Sequence, residues 1–456
     1  MFFSPVSRAI SFLRPHLDKN LPRQVLDYGF SVIGTMGTNF LVVLVLAWRL
    51  PAEIFASYVL AKVSLVVVAS LMNLGISQAM VRWSGEKDRT EPLLPTALFG
   101  AVFLAMPGTV ILAVVFSVLG ARVGIDLEPS MFTAMFGALL VYMVATEVLN
   151  WMRANHFSQE YAYQSVLRAG LQVGCIIFWM DCLRSPTGYI YGLFMADSIF
   201  LIFAAASWRE SWRERSFKPD VSLFLRFISY GAPHATIMAL GFLLNFTDRF
   251  MLSYLTHDQR IVAYYDVAYM IVASSLALLV RPFNLFLFPA YIRRHNEGGA
   301  KASIELIENS MNIFLVAAFF VAIFIIAVRI PVLRFLFPIG YQTGSSIFAP
   351  VSIGILFNGL FIAVAAGLYL SDRTWRAGVV TAIALLVNII ANFLLIPRFG
   401  MDGAAFGTLL AYLAQLFLSY SVARQTLKVR LPIGALVIGS ALCFLVQYLT
   451  ASFYFY

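Results

Sequence analysis

Residues 188–209, GYIYGLFMADSIFLIFAAASWR, and residues 403–424, GAAFGTLLAYLAQLFLSYSVAR, share a frame of small residues. Gly188, Gly192, Ala196 and Arg209 return as Gly403, Gly407, Ala411 and Arg424, each 215 positions further on. Ala56, Tyr58 and Ala61 echo in Ala263, Tyr265 and Ala268 at an offset of 207. Each match is weak alone, because small residues are common where membrane helices approach closely. Together they align a sixth apolar stretch with a twelfth and a second with an eighth, which predicts a duplicated architecture.

Thirteen apolar stretches fill the 456-residue chain, near 25–48, 53–80, 93–119, 131–152, 161–180, 186–206, 223–246, 261–292, 304–328, 344–370, 375–396, 403–423 and 432–455. A hydrocarbon core ~30 Å thick needs ~20 apolar residues of helix, and every stretch is long enough. Hydrophobic residues make up 61% and charged residues 12%, with a mean hydropathy of +0.83. A soluble domain of this size could not solvate such a surface. The expected fold is an all-α polytopic membrane protein. Its plan is a basic segment at 1–24, a first six-helix lobe at 25–206, a linker at 207–222, a second lobe at 223–424, and a loop with one more helix at 425–456.

Basic residues set orientation, because cytoplasmic flanks retain them. With the N-terminus inside, that side holds Arg8, Arg14, Lys19 and Arg23, then Arg82, Lys87, Arg89 and Arg153, the linker cations Arg209, Arg213, Arg215 and Lys218, and later Arg293, Arg294, Arg376 and Arg424. The opposite flanks hold fewer, among them Arg49, Arg122, Arg184, Arg260, Arg329 and Arg334. The net charge of +9 is therefore read as topology, not as affinity for nucleic acid. Residues 1–24 have no compact apolar run before a small-residue cleavage site, so the first span is expected to be retained. Cys175, Cys182 and Cys443 suggest neither a disulfide framework nor a metal site.

Six spans per half return the chain to its starting side, so the two halves run parallel. That symmetry suits transporters that rock two lobes about a central site. The small residues at i, i+4 and i+8 are read as helix packing within each lobe.

The stretch Asn388 to Tyr412, NIIANFLLIPRFGMDGAAFGTLLAY, resembles the polysaccharide transporter family, the lipid-linked oligosaccharide flippases of the multidrug/oligosaccharidyl-lipid/polysaccharide exporter superfamily. Three pieces agree in order: NLGISQAMVRW at Asn73 to Trp83, YGAPHATIMALGFLLNFTDRFMLSYL at Tyr230 to Leu255, and FPAYIRR at Phe288 to Arg294. Ala56 departs from the family's Gly-x-Tyr pattern, and one helix follows the twelfth where many relatives have two. The resemblance marks Asn388, Asn392, Gly400, Gly403 and Gly407 as motif positions, and Asp248 and Arg249 as the family's architectural Asp-Arg pair. It implies movement of an undecaprenyl-pyrophosphate-linked oligosaccharide between leaflets of a bacterial inner membrane, in O-antigen, capsule or exopolysaccharide assembly. It further implies ion-coupled antiport without choosing H+ or Na+, and a polysaccharide polymerase and a chain-length regulator as partners.

A cation at mid-bilayer costs ~2.5–3.5 kcal/mol on insertion scales, so each one kept there needs a partner, a wet cavity or a task. Lys62, Arg168, Arg226 and Arg281 are the candidates, as donors that replace the water a pyrophosphate loses. Lys62 and Arg281 come first, because the second and eighth helices line the cavity in relatives. Lys62 also reads as snorkelling toward the outer interface or pairing with an acidic neighbour, Arg281 and Arg226 also read as anchors, and Pro282 marks a bend or hinge. Glu147, Asp197, Asp266 and Asp27 are the ion-coupling candidates, against structural ion pairs of Glu147 or Asp197 with Arg153 or Arg168. His234 reads as a packing residue. Tyr58, Tyr265 and Tyr269 are stacking faces for sugars, or simply interfacial aromatics.

Two other functions compete. A multidrug antiporter of the same superfamily would favour an acidic, aromatic pocket. A membrane-embedded polymerase or glycosyltransferase would need a nucleophile with a base, a phosphate loop or a metal cluster, none of which the sequence offers.

Overall fold

The computed structural model describes residues 21–84, 92–123, 129–208, 218–370, 374–424 and 429–455. They form α1 (Leu21–Arg49), α2 (Ala52–Met72), α3 (Ile76–Ser84), α4 (Leu93–Val123), α5 (Pro129–Ala154), α6 (Ser158–Leu183), α7 (Pro186–Ser207), α8 (Val221–Thr256), α9 (Gln259–Leu336), α10 (Phe348–Leu370), α11 (Thr374–Ala423) and α12 (Ile433–Phe455). No strand occurs among the described residues. Helix is the form a bilayer demands, because it satisfies each backbone N–H and C=O without water.

Twelve segments among the described residues are long and apolar enough to cross a membrane, which makes this a multi-pass membrane protein. One of them, Trp375–Ala423, has 49 residues, or ~75 Å of helix, more than twice the hydrocarbon thickness. It reverses at Gly400 (φ 56°, ψ −127°), a backbone state that favours glycine. Two crossings therefore come from this segment, and the total is the expected thirteen. In the same way α9 reverses at Gly299 (φ 69°, ψ −170°).

Two expected spans differ in detail. The stretch 53–80 is not one rod: it breaks between α2 and α3, where Leu74 and Gly75 have φ of 44° and 76°. The ninth span continues beyond 328 to Leu336. Arg329, expected on an outer flank, is only 2% exposed and lies within the helix. Its guanidinium donates to the carbonyls of Ile326 and Gln447, both at 2.8 Å, and to the Thr450 hydroxyl. Arg329 thus ties α9 to α12, and a charge that reads as a loop signal is satisfied by protein.

In the first lobe α1 packs on α6, α6 on α7, α5 on α4 and α7, and α2 on α4. In the second, α8 and α10 both pack on α11, and α9 packs on α10. α12 lies against α9 and α10. The duplicated small residues do equivalent work in both lobes. A Cβ on Gly188 would lie 2.6 Å from the Trp179 carbonyl oxygen, and one on Gly403 would lie 2.5 Å from the Leu395 carbonyl. The α6–α7 hairpin and the two arms of α11 can close only because these positions lack a side chain.

The lobes meet where α2 and α3 face α8 and α9. On the linker side, Trp83 stacks on Phe227 at 5.5 Å and meets Tyr230 edge-on at 5.3 Å, while Phe99 packs on Phe224. On the opposite side, Glu53 pairs with Arg260 at 2.5 Å, Phe55 meets Tyr341 edge-on, and the Trp48 indole donates to the Leu336 carbonyl. Each aromatic pair contributes ~0.5–1.5 kcal/mol beyond its buried area.

Candidate functional site

Lys62 lies ~15 Å along α2 from Ala52, at 1.5 Å per residue, near the middle of a ~30 Å core. It is half-buried and borders the lobe interface. Its ammonium sits 5.8 Å from the Tyr58 ring centroid, and Asp266 and Arg249 of the second lobe are close enough to act on its charge. Lys62 forms no ion pair among the described residues.

Arg168 is placed differently. Its Nε and Nη2 donate to the two Asp197 carboxylate oxygens at 2.9 and 2.7 Å. Nη1 reaches the Thr146 hydroxyl at 3.1 Å, Nη2 reaches the Tyr142 carbonyl at 3.2 Å, and Gln172 donates to Asp197 at 2.9 Å. The guanidinium also lies 4.9 Å from the Tyr142 ring centroid. A bidentate fork with its remaining donors occupied has little left for a ligand, so here the structural ion pair is the geometry found.

In the second lobe, Arg249 stands between two acids. Nη1 donates to Asp248 at 2.7 Å and Nε to Asp266 at 3.1 Å, while the Tyr269 ring centroid lies 4.1 Å away. Asp248 also accepts from the Tyr265 hydroxyl at 2.5 Å and, at 3.4 Å, from Thr408. Asn388 donates to that same Thr408 hydroxyl and accepts from Asn392. The motif positions Asn388 and Asn392, together with Gly407 packed on Asn392, thereby bind α11 to the Asp-Arg pair on α8. Tyr412 donates to Asn245 at 2.5 Å, a contact that no sequence signal announced.

The other candidates lie apart from this cluster. Asp27 accepts from the Ser158 hydroxyl at 2.6 Å. Arg226 is exposed at the linker end of α8, and exposed His234 stacks on Tyr230 at 5.7 Å. Arg281 and Pro282 belong to α9, but their side chains lie outside the described residues. Glu147 is buried against Asn73 and Ser77, with no ion pair among the described residues. The site thus gathers Lys62, Tyr58, Asp266, Arg249 and Tyr269 at the interface, and leaves Arg168 with Asp197 inside the first lobe. Asn73, Ser77 and Asn150 went unread as a polar cluster, although each interrupts an apolar span.

A sequence model of the polysaccharide biosynthesis protein family matches residues 23–295, more than half of the chain. The chain belongs to this family. A model of the lipid II flippase MurJ matches the overlapping stretch 180–454. No curated protein sequence matches it. Among solved structures, the lipid II flippase MurJ in an inward closed conformation superposes with a TM-score of 0.67 at 13% identity, covering 95% of this chain and 98% of that one. An inward-facing multidrug resistance MATE transporter of the MOP superfamily gives 0.63 at 12% identity, covering 88% and 97%. A MOP superfamily transporter from Pyrococcus furiosus gives 0.59 at 12%, covering 88% and 95%. At such identities the likeness establishes the fold, that of the exporter superfamily.

Proposed function

We propose that this protein flips an undecaprenyl-pyrophosphate-linked oligosaccharide from the inner to the outer leaflet of a bacterial inner membrane, for O-antigen, capsule or exopolysaccharide assembly. The two lobes alternate access, with the N-terminus cytoplasmic and a proton or sodium gradient driving the cycle. The observation that carries this reading is Lys62: a half-buried ammonium at mid-membrane depth, on the lobe interface, without an ion pair of its own. Only an anionic cargo or a facing carboxylate repays keeping it there. Asp266 supplies that carboxylate while the lobes are together, and a pyrophosphate would supply the charge once they part. Tyr58, Tyr265 and Tyr269 offer rings beside it. A polysaccharide polymerase and a chain-length regulator act downstream on the flipped product.

A multidrug antiporter is the second reading, favoured by Asp266 among aromatic rings, a setting fit for an organic cation. Reconstitution into liposomes with a fluorescent lipid-pyrophosphate oligosaccharide separates the two. Protein-dependent leaflet exchange that responds to an imposed ion gradient is expected. Transport of drug cations with no lipid exchange would move the assignment to the antiporter.

A further inference from the structure

Glu147 stands outside the central cluster, and its surroundings differ from those of the other buried acids. It is 1% exposed. Its Oε1 accepts from Asn73 Nδ2 at 2.5 Å and from the Ser77 hydroxyl at 2.8 Å, and that hydroxyl in turn accepts from Asn150 at 2.8 Å. Its Oε2 has no partner. Asp197, Asp248 and Asp266 each face a guanidinium. Around Glu147, exposed Arg153 on its own helix is the charged group near enough to act on it. Apart from tyrosines and cysteines, the charged or titratable side chains on neighbouring elements are Glu53 and Lys62 on α2, Arg82 on α3, Glu160, Asp181 and the closed Arg168–Asp197 pair on α6 and α7, and Arg226, His234, Asp248 and Arg249 on α8, while the described side chains of α4 carry none.

An ionised oxygen buried without a donor is costly, so the arrangement seen fits the neutral acid. Its donors sit at a sensitive point. Asn73 occupies the break between α2 and α3, and the next two residues carry positive φ. At that break Gly75 touches Gly231 of α8, backbone to backbone: a Cβ on either glycine would overlap the other's carbonyl. A cavity of about 200 Å³ opens beside it, lined by Asn73, Ser77, Asn150 and Arg153 of the first lobe and by Met238 and Phe242 of α8. Such a space holds water but no glycan.

We propose that Glu147 is a proton-binding site whose charge sets the lobe contact on the linker side. Protonated through the Ser77 hydroxyl, which both lines the cavity and donates to Glu147, it leaves the α2–α3 break seated on Gly231. Ionised, it requires donors at both oxygens; drawing the Asn73 amide away from the Ser77 hydroxyl it also reaches at 3.1 Å, and the Arg153 guanidinium inward, moves the break off α8. The only bond made or broken is the O–H bond. This rests on the flippase reading solely for the use made of the proton.

The test uses the full chain in lipid nanodiscs, with Cys175, Cys182 and Cys443 replaced by serine and spin labels at Ser84→Cys and Ser222→Cys. The expected distance between labels lengthens as pH rises, stays short at every pH in Glu147→Gln, and responds again in Glu147→Asp. Asn73→Ala keeps the infrared band of the protonated carboxyl but loses the distance change. A pH-independent distance in the parent, an unaltered pH response in Glu147→Gln, or a shift driven by sodium at fixed pH would overturn the proposal. Leaflet exchange is measured on the same preparation. Exchange without a pH-dependent distance defeats this inference alone, whereas a pH-dependent distance without exchange defeats the flippase reading alone.

Discussion

Each lobe buries an arginine against a carboxylate, but the two pairs are balanced differently. In the first, Arg168 meets one carboxylate, Asp197, and its other donors are taken by Thr146 and the Tyr142 carbonyl. In the second, Arg249 is shared by Asp248 and Asp266. The second lobe therefore holds a surplus carboxylate, and the first holds a surplus cation, Lys62, close enough for Asp266 to act on its charge. Together the lobes neutralise each other across the interface. In the proposed flippase cycle, parting them removes Asp266 from Lys62 and leaves a cationic first-lobe wall for a phosphorylated ligand.

The strongest consequence concerns Arg249. Arg249→Met strands the buried Asp248 and the half-buried Asp266 and is expected to destabilise the protein by more than Arg168→Met, which strands one acid; removing one partner of a buried pair costs ~3–5 kcal/mol. Thermal unfolding in detergent gives the order. The double change Arg168→Met with Asp197→Leu should recover most of the first-lobe loss, because a well-packed apolar pair replaces a closed ion pair at little cost. Failure to recover would mean that Arg168 does more than neutralise Asp197.

Gly75→Ala comes next. It puts a Cβ into the Gly231 carbonyl at a residue with φ of 76°, and strain of this kind costs ~1–3 kcal/mol. Labels at Ser84→Cys and Ser222→Cys should then report lobes held apart on the linker side at all pH values. Smaller still is Lys62→Met, expected to change stability by ~1 kcal/mol or less, because a half-buried, unpaired side chain leaves no stranded partner within ion-pair distance. At the far end, Glu53→Gln removes an exposed pair with Arg260 and should leave the unfolding temperature unchanged.

The membrane class and the duplication were legible because both follow from residue type and spacing. Gly188 and Gly403 pack as the repeat requires. What sequence could not supply was partnership. Arg168 and Lys62 are equally conspicuous as cations inside apolar spans, yet one is closed by a residue on the next helix and the other stays open. Arg329 looked like a loop residue because its partners, Gln447 and Thr450, lie more than a hundred positions away. The α2–α3 break hid in an apolar run, where a lone Gly75 is a weak signal until its backbone is seen against Gly231. Glu147 was visible as a buried acid, but the unsatisfied oxygen that distinguishes it from Asp197 is a fact of packing.

The decisive measurement is leaflet exchange of a fluorescent lipid-pyrophosphate oligosaccharide by Lys62→Ala and Lys62→Arg proteins in liposomes, at matched protein levels and unchanged unfolding temperature. Exchange reduced at least ~10-fold in Lys62→Ala, a loss equal to ~1.4 kcal/mol of ligand stabilisation, and largely restored in Lys62→Arg is the predicted result. Full exchange by Lys62→Ala would contradict a cationic wall exposed between parting lobes.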